Sequence, residues 1–143
     1  MADLFAIVRI RGSVNARGVI DDTLAMLRLK KVNNCMIYPK TPTIQGMLRT
    51  ASTYLTWGEI KEDVLEKLLL KRARLQGDKK IDEKKSKEIA SKLSAGKRKE
   101  LEIKLPFRLS PPSKGFNSVK ALFPKGDAGY RGEKINELLE RMM

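Results

Sequence analysis

The segment YPKTPTIQGML, residues 38–48, constrains the fold more than any other part of the chain. It predicts a strand end that leads directly into a helix, because Thr41 is a good N-cap and Pro42 is tolerated at the first helical position. A glycine inside that helix, Gly46, costs about 1 kcal/mol of helix stability relative to alanine. Its presence indicates that another group approaches the helix closely, either the neighbouring strand or a bound molecule.

The surrounding patterns predict the order β-α-β-α-β for the first sixty residues. The run LFAIVRIRG predicts a strand that ends at Gly12, with Arg9 and Arg11 on the same face. Apolar spacing over residues 17–30 predicts an amphipathic helix. The segments NNCMIY and TYLTW predict two further strands, the second ending at Gly58. Right-handed crossovers between such strands place both helices on one face of the sheet.

The rest of the chain predicts a helical hairpin and a return to the sheet. Residues 61–104 hold half of the basic residues and carry two apolar helical stripes, which end near Gly77 and Gly96. Alternation in ELEIKLPFRL predicts a short strand, and Pro106 favours an edge position for it. A long segment rich in proline and glycine follows, and residues 133–142 have the spacing of a final helix.

These patterns predict an α+β fold, and a chain of 143 residues suits one compact domain. The predicted architecture is a three-stranded β-α-β-α-β core sheet with two helices on one face, an inserted helical hairpin, a short edge strand and a C-terminal helix. We expect residues 1–60 to form an RNA-binding core and residues 61–104 a basic hairpin. We expect residues 105–143 to form a strand, a Pro/Gly-rich loop and a helix, which bring the chain back to the core.

The charge of the chain indicates a polyanionic partner. Thirty basic residues against seventeen acidic ones leave a net charge of +13 at pH 7. Nucleic acid is the commonest such partner and an anionic membrane surface the second. No apolar run approaches the roughly 18 residues that span a bilayer, and the N-terminus lacks the pattern of a secretory signal. We therefore expect a cytoplasmic protein that binds nucleic acid and no membrane.

The chain has no histidine and a single cysteine, Cys35, which argues against several classes of protein. An internal disulfide is impossible, and the usual Cys/His zinc site and Ser/His or Cys/His nucleophiles are excluded. The nearest carboxylate pairs, Asp21 with Asp22 and Glu59 with Glu62, fit helix-start charges better than catalysis. We expect no enzymatic activity, no cofactor, no metal and no small-molecule substrate.

Two candidate RNA contacts lie in the first sixty residues. The first is a trio of arginines around the loop after the first strand, Arg9, Arg11 and Arg17. Guanidinium groups match phosphate geometry and stack on unpaired bases, although ordinary surface arginines are the alternative. The second is the start of the second helix, whose N-terminus can receive a phosphate. Its candidate residues are Lys40, Thr41, Thr43, Gly46 and Arg49.

Two more candidates lie in the C-terminal loops. The segment RLSPPSKGF offers Arg108, Lys114 and Phe116, a combination that suits looped RNA, with burial of the phenylalanine as the alternative. The segment GDAGYRGEK offers Arg131 beside Tyr130, or else a tight turn with the tyrosine covering the core. It lacks the ending of a P-loop and the spacing of a dinucleotide fingerprint. A basic DNA-binding or DNA-compacting protein is the alternative to an RNA binder, but it would need an exposed recognition helix.

The motifs resemble the universal large-subunit ribosomal protein family called L-thirty in its archaeal form, whose eukaryotic relative is L-seven. The resemblance is carried by FAIVRIRGSVN, TLAMLRLKKVNNCMIYPKTPTIQGMLRTASTYLTWGEI, LPFRLSPPSKGF and VKALFPKGDAGYRGEKINELLERM. These segments cover nearly the whole chain apart from part of the hairpin.

The resemblance implies a structural component of the large ribosomal subunit. Its expected partners are large-subunit ribosomal RNA, with 5S ribosomal RNA close by, and neighbouring ribosomal proteins, and its expected role is to hold RNA domains in place. Archaeal relatives often have a histidine before the Pro-Pro pair and an arginine after it, where this chain has Ser110 and Ser113. The loop backbone is therefore the remaining candidate for contacts there.

Overall fold

The computed structural model describes residues 4–12, 17–72, 82–94, 107–109, 112–113, 115, 126 and 128–142. Across these residues the strands are β1 Leu4–Arg9, β2 Asn34–Pro39, β3 Leu55–Glu59, β4 Phe107–Arg108 and β5 Gly129–Tyr130. The helices are α1 Gly18–Met26, α2 Pro42–Thr50, α3 Glu62–Arg72, α4 Glu83–Ser94 and α5 Ile135–Met142. A 3-10 turn at Gly132–Lys134 precedes α5. The predicted α+β class is confirmed.

Strand β1 lies at the centre of one mixed sheet, whose order is β4-β2-β1-β3-β5. It is antiparallel to both neighbours, so that Ile7 lies opposite Met36 on β2 and Trp57 on β3. Helix α1 thus connects antiparallel neighbours and makes no crossover, whereas α2 joins two strands that run parallel on either side of β1. Strand β5, which was not predicted, pairs in parallel with β3.

Alternate residues of β1 enter two separate hydrophobic cores. Ala6 and Val8 pack with residues of α3, α4 and α5. Phe5 and Ile7 pack with residues of α1 and α2 on the other face. Because both faces of the sheet are covered, every residue of β1 is buried. The prediction that the first two helices share one face is confirmed.

Helix α1 ends earlier than the spacing predicts, at Met26 and not near residue 30. Arg28 adopts a left-handed backbone conformation with φ of 61°. The N–H of Arg28 donates to the Ala25 carbonyl at 3.1 Å, and that of Leu29 donates to the Leu24 carbonyl at 2.9 Å. This is the Schellman pattern of helix termination, here with an arginine at the position that glycine usually occupies.

The elements after the core follow the sequence patterns closely. Strand β4 lies at the edge of the sheet, as predicted, and it pairs with β2. Strand β3 continues through Gly58 to Glu59 instead of ending at the glycine. Within the described ranges, no helix combines the length and the apolarity needed to cross a membrane. The predicted buried stripes are confirmed, as Val64, Leu65, Leu68 and Leu69 on α3 and Ile135, Leu138, Leu139 and Met142 on α5.

Candidate nucleic-acid interface

Two of the predicted RNA-contacting arginines are buried and bonded to the protein itself. Arg9 is 2% exposed, and its guanidinium donates to the carbonyls of Arg11 and Leu29, both at 2.8 Å. Burial lowers the pKa of Arg9, against the opposing effect of Asp21. This side chain fastens the end of β1 to the segment after α1, and it presents almost no surface to a bound RNA.

Arg131 has a comparable structural position between β3 and the C-terminal turn. It is 7% exposed, and its Nε donates to the Thr56 hydroxyl at 2.7 Å. That hydroxyl in turn donates to the Gly129 carbonyl at 3.1 Å. The backbone N–H of Arg131 donates to the Trp57 carbonyl at 2.9 Å. The Arg131 side chain therefore also presents little surface to a bound RNA.

Three predicted arginines remain accessible in the region where β1 ends, and we call Arg11, Arg17 and Arg108 the strand-exit group. The guanidinium carbon of Arg11 lies 4.9 Å from the centre of the Tyr54 ring, a cation–π geometry. Arg17 is exposed just before α1. Arg108 is exposed on β4, opposite Asn34 at the start of β2. The register places Arg11 and Arg108 towards the same end of the sheet.

The start of α2 has the predicted cap. The Thr41 hydroxyl accepts a hydrogen bond from the Ile44 N–H at 3.3 Å, and Pro42 occupies the first turn. The hydroxyl thus serves the helix, as expected of an N-cap. Ile44, Met47, Leu48 and Ala51 face the core, as predicted.

The opposite side of α2 is open, and we call its exposed residues Thr43, Gly46 and Arg49 the α2 surface. A Cβ atom built on Gly46 would have no atom of the described residues within 4 Å. The alternative that the neighbouring strand approaches this glycine is therefore wrong. Within the part of the chain that the structure describes, the Arg49 guanidinium makes no hydrogen bond or ion pair. The described neighbours of this position therefore leave room for a larger side chain.

Lys40 and Arg49 meet at one cavity of about 350 Å³, which we call the ring-lined cavity. Its walls come from α2, from the residue that follows β2 and from strands β1, β3 and β5. The residues that line it are Phe5, Lys40, Gln45, Arg49, Trp57 and Tyr130. Two basic groups and three aromatic rings thus surround one opening. Of these six residues, the sequence predicts only Lys40, Arg49 and Tyr130 as candidate RNA contacts.

Tyr130 is half exposed, at 51%, and its ring is held in place at the cavity. Its hydroxyl donates to both carboxylate oxygens of Glu59, at 2.7 and 2.8 Å. This hydrogen bond raises the pKa of Tyr130 to about 12. Burial acts to raise the pKa of Glu59, but hydrogen bonds from Tyr130 and Lys40 outweigh it and lower that pKa overall. The Lys40 ammonium lies 3.4 Å from the same carboxylate.

The Tyr130 ring also contacts both of the other rings of the cavity. The ring centres of Phe5 and Tyr130 are 6.3 Å apart in an edge-on arrangement, and those of Trp57 and Tyr130 are also 6.3 Å apart. The Lys40 ammonium lies 5.5 Å from the centre of the Phe5 ring. The sequence does not predict Phe5 and Trp57 as site residues, because their proximity depends on the register between β1 and β3.

The C-terminal loop candidates are only partly described. Lys114 and Phe116 lie outside the described residues, as does Ser110. Ser113 is described, and its backbone N–H donates to the Arg141 carbonyl at 3.1 Å. The Arg141 guanidinium donates back to the Ser113 carbonyl at 3.4 Å. These two bonds fasten the end of the Pro-Pro segment to the end of α5.

Comparisons with known proteins point to one family. The family model described as ribosomal protein L30p/L7e matches residues 5–55. The chain is 47% identical to large ribosomal subunit protein uL30 of Methanococcus maripaludis, over 97% of this chain and 99% of that protein. It is 48% identical to the uL30 protein of Nanoarchaeum equitans, over 96% of this chain and 97% of that protein.

A third relative, the uL30 protein of Saccharolobus islandicus, is 44% identical over the full length of both proteins. The class of protein is therefore ribosomal. Since identities of this size extend across nearly the whole chain, it belongs to the uL30 family, ribosomal protein L30p/L7e.

Proposed function

We propose that this protein is a structural constituent of the large ribosomal subunit that binds ribosomal RNA and is not an enzyme. Membership of the uL30 family supports the ribosomal assignment, and with it a place in the cytoplasm on ribosomes. The net charge of +13 supports a polyanionic partner. The family resemblance supports a position close to 5S ribosomal RNA, where the protein helps hold RNA domains in place.

The observation that carries RNA binding is the α2 surface. Gly46 weakens the helix, yet no described part of the chain occupies the space beside it. Arg49 lies three residues further on, which places it on the same side of the helix one turn away. A glycine lets a sugar–phosphate backbone approach the helix closely, and the arginine can then bind a phosphate oxygen. This surface lies in residues 1–60, which we propose as the RNA-binding core.

Two other surfaces complete the proposal. The strand-exit group provides a second set of cations for phosphates. Val19 and Met26 lie seven residues apart on α1 and are 68% and 63% exposed, which suits contact with a neighbouring ribosomal protein. The proposed hairpin, residues 61–104, contains α3 and α4. Residues 105–143 add β4 and β5 to the sheet and contain α5.

Sedimentation of a native lysate through sucrose gradients at low and high salt tests the ribosomal assignment. We expect the protein to travel with the large subunit and to stay bound after the high-salt wash. Cross-linking within the purified subunit then tests the finer position, and we expect cross-linked RNA to include sequences next to 5S ribosomal RNA. A protein that stays at the top of both gradients would contradict the proposal.

The DNA-binding alternative is tested by affinity at matched salt. We expect the full chain to bind large-subunit ribosomal RNA more tightly than duplex DNA of equal length at every salt concentration. Both affinities will fall as salt rises, because displaced counterions drive both reactions. Equal affinities, or tighter binding of the duplex, would favour the DNA-binding alternative.

A further inference from the structure

We propose that the ring-lined cavity receives one unstacked nucleobase of the bound RNA. The proposal deepens the proposed function and rests on it, since it names the part of the RNA that this site recognises. The occupant is a single base turned out of a loop or bulge, whose ribose and phosphate remain outside the cavity. Base-paired RNA has no such base to offer, so the site is selective for irregular RNA.

The size of the cavity fits one nucleobase. Its volume of about 350 Å³ lies near the lower end of the roughly 300–1,000 Å³ that is typical of small-ligand sites. Trp57 at 9% exposure and Phe5 at 3% form its apolar floor. A planar heterocycle is the component of RNA that gains most from such a floor, since phosphate and ribose are strongly hydrated.

The Tyr130 ring supplies the stacking wall. Half of its surface is exposed, so a planar group can lie against it. The hydroxyl is anchored to the Glu59 carboxylate at 2.7 and 2.8 Å, which fixes the orientation of the ring before any ligand arrives. A ring that is already ordered loses little conformational entropy on binding, so more of the stacking free energy appears as affinity.

The polar residues that line the cavity can bind the edge of the base and the phosphate. The side-chain amide of Gln45 can both donate to and accept from the edge of a base. Lys40 and Arg49 supply positive charge on the same opening. Gly46 follows Gln45 directly and leaves space for the ribose and phosphate along α2. The cavity and the α2 surface therefore form one continuous site for a nucleotide.

The single tryptophan of the chain lines the cavity, which makes its fluorescence a local probe. The experiment titrates the full chain with large-subunit ribosomal RNA and records binding by filter retention and by Trp57 fluorescence in parallel. We expect the fluorescence to be quenched at the same RNA concentrations at which the RNA is retained, because a base enters next to the indole.

Three variants of the full chain separate stacking from charge. Tyr130→Leu should lower RNA affinity about 5-fold to 100-fold and reduce the quenching, since it removes the stacking ring. Tyr130→Phe keeps the ring and should lose much less affinity. Arg108→Ala is the matched control: it removes an exposed arginine outside the cavity, so it should weaken binding through charge while the maximal quenching at saturating RNA stays unchanged. Thermal unfolding of each variant establishes that it folds.

The outcomes distinguish this proposal from the function on which it rests. If the protein does not bind the RNA at all, the proposed function fails. If it binds tightly while Trp57 is not quenched and Tyr130→Leu binds as the unmodified chain does, the function stands and the base site is wrong. Cross-linking of Tyr130 to a neighbouring protein in the purified subunit would also overturn the base site.

Discussion

Two glycines of this fold, Gly46 on α2 and Gly58 on β3, have opposite surroundings. A Cβ atom on Gly58 would overlap the Gly132 carbonyl oxygen and would lie 3.0 Å from the Cβ of Ile135. A Cβ atom on Gly46 would contact nothing within 4 Å among the described residues. The fold requires the first glycine, because β3 and the C-terminal turn touch through their backbones. No contact among the described residues requires the second.

The same contrast extends to the polar groups of the two regions. Around Gly58, Asn136 is buried and bonded on both ends of its amide, and Arg131 is bonded to Thr56. Around Gly46, Arg49 is exposed. Residues of the first region should therefore control stability, and those of the second should control binding. Each prediction below tests that separation.

The largest effect is expected for Gly58→Ala. The added methyl group meets backbone, which cannot move aside as a flexible side chain can, so we expect a loss of about 3 kcal/mol or more of unfolding free energy. Denaturant titration measures it. Gly12→Ala is the matched control, because its Cβ would lie 3.9 Å from Val32, an ordinary contact. Equal stability of the two variants would contradict the close contact.

A smaller loss is expected for Asn136→Ala. The amide oxygen accepts from the Lys61 N–H at 2.9 Å, and the amide nitrogen donates to the carbonyls of Glu59 and Glu133 at 3.2 and 2.8 Å. Alanine leaves these groups unbonded, which should cost about 1–3 kcal/mol. Asn136→Asp keeps the acceptor but turns a carboxylate oxygen towards the two carbonyls in a buried position, so it should not restore the stability. RNA affinity of the folded variants should not change, and a large loss would argue against the separation.

Gly46→Ala should change stability and binding in opposite directions. Alanine favours the helix and meets no described atom, so the unfolding free energy should rise by up to about 1 kcal/mol. RNA affinity should fall, because the methyl group occupies the space proposed for the RNA backbone. Parallel denaturant and filter-binding measurements test both effects. Unchanged affinity in a stabilised variant would mean that RNA does not approach α2 at this residue.

The smallest effect is spectroscopic and concerns the ring-lined cavity. One of the three tyrosines should ionise at about 12, because Tyr130 donates to Glu59. A raised pKa contributes stability that is complete below the ordinary value of roughly 10 and is lost as pH rises through about 12. Glu59→Gln should return the ionisation towards the ordinary value. A phenolate absorbance titration measures both, and identical curves would contradict the anchoring of the ring.

The same carboxylate has an opposite pH dependence. The pKa of Glu59 is lowered in the folded protein. Its contribution to stability is therefore present above the unfolded value of roughly 4.3 and is lost as the pH falls through the lower folded value. The Tyr130 ring should thus be held most firmly across the neutral range, where Glu59 is ionised and Tyr130 keeps its proton.

Much of the fold could be predicted because its signals are local. The signal for the start of α2 lies within four residues, since Thr41 caps the helix through Ile44 and Pro42 occupies its first turn. The buried stripe of α5 is predictable because its apolar residues repeat at helical spacing. The end of α1 could not be predicted, because Arg28 occupies a left-handed position where the sequence usually has glycine. Strand β5 was missed since its described part is only two residues long and its pairing partner, β3, lies more than sixty residues earlier.

The candidate site also has residues that could be predicted from the sequence and residues that could not. Residue type alone predicted Lys40, Gly46 and Arg49 as RNA contacts, and it also predicted Arg9 and Arg131, which the tertiary structure buries. A guanidinium looks the same in sequence whether it meets solvent or the carbonyl of a residue twenty positions away, as Arg9 meets Leu29. The ring-lined cavity was not predictable, because its rings come from three strands whose register brings them together.

The sequence by itself determined the fold class, the basic character, the family and the start of α2. Composition, periodicity and capping act over short stretches of chain and can be read directly from it. Only the tertiary structure decided that Gly58 serves a backbone contact while Gly46 faces none of the other described segments, and that three rings and two cations share one cavity. The reason is physical: burial and open volume depend on which distant segments pack together, and local sequence does not contain those distances.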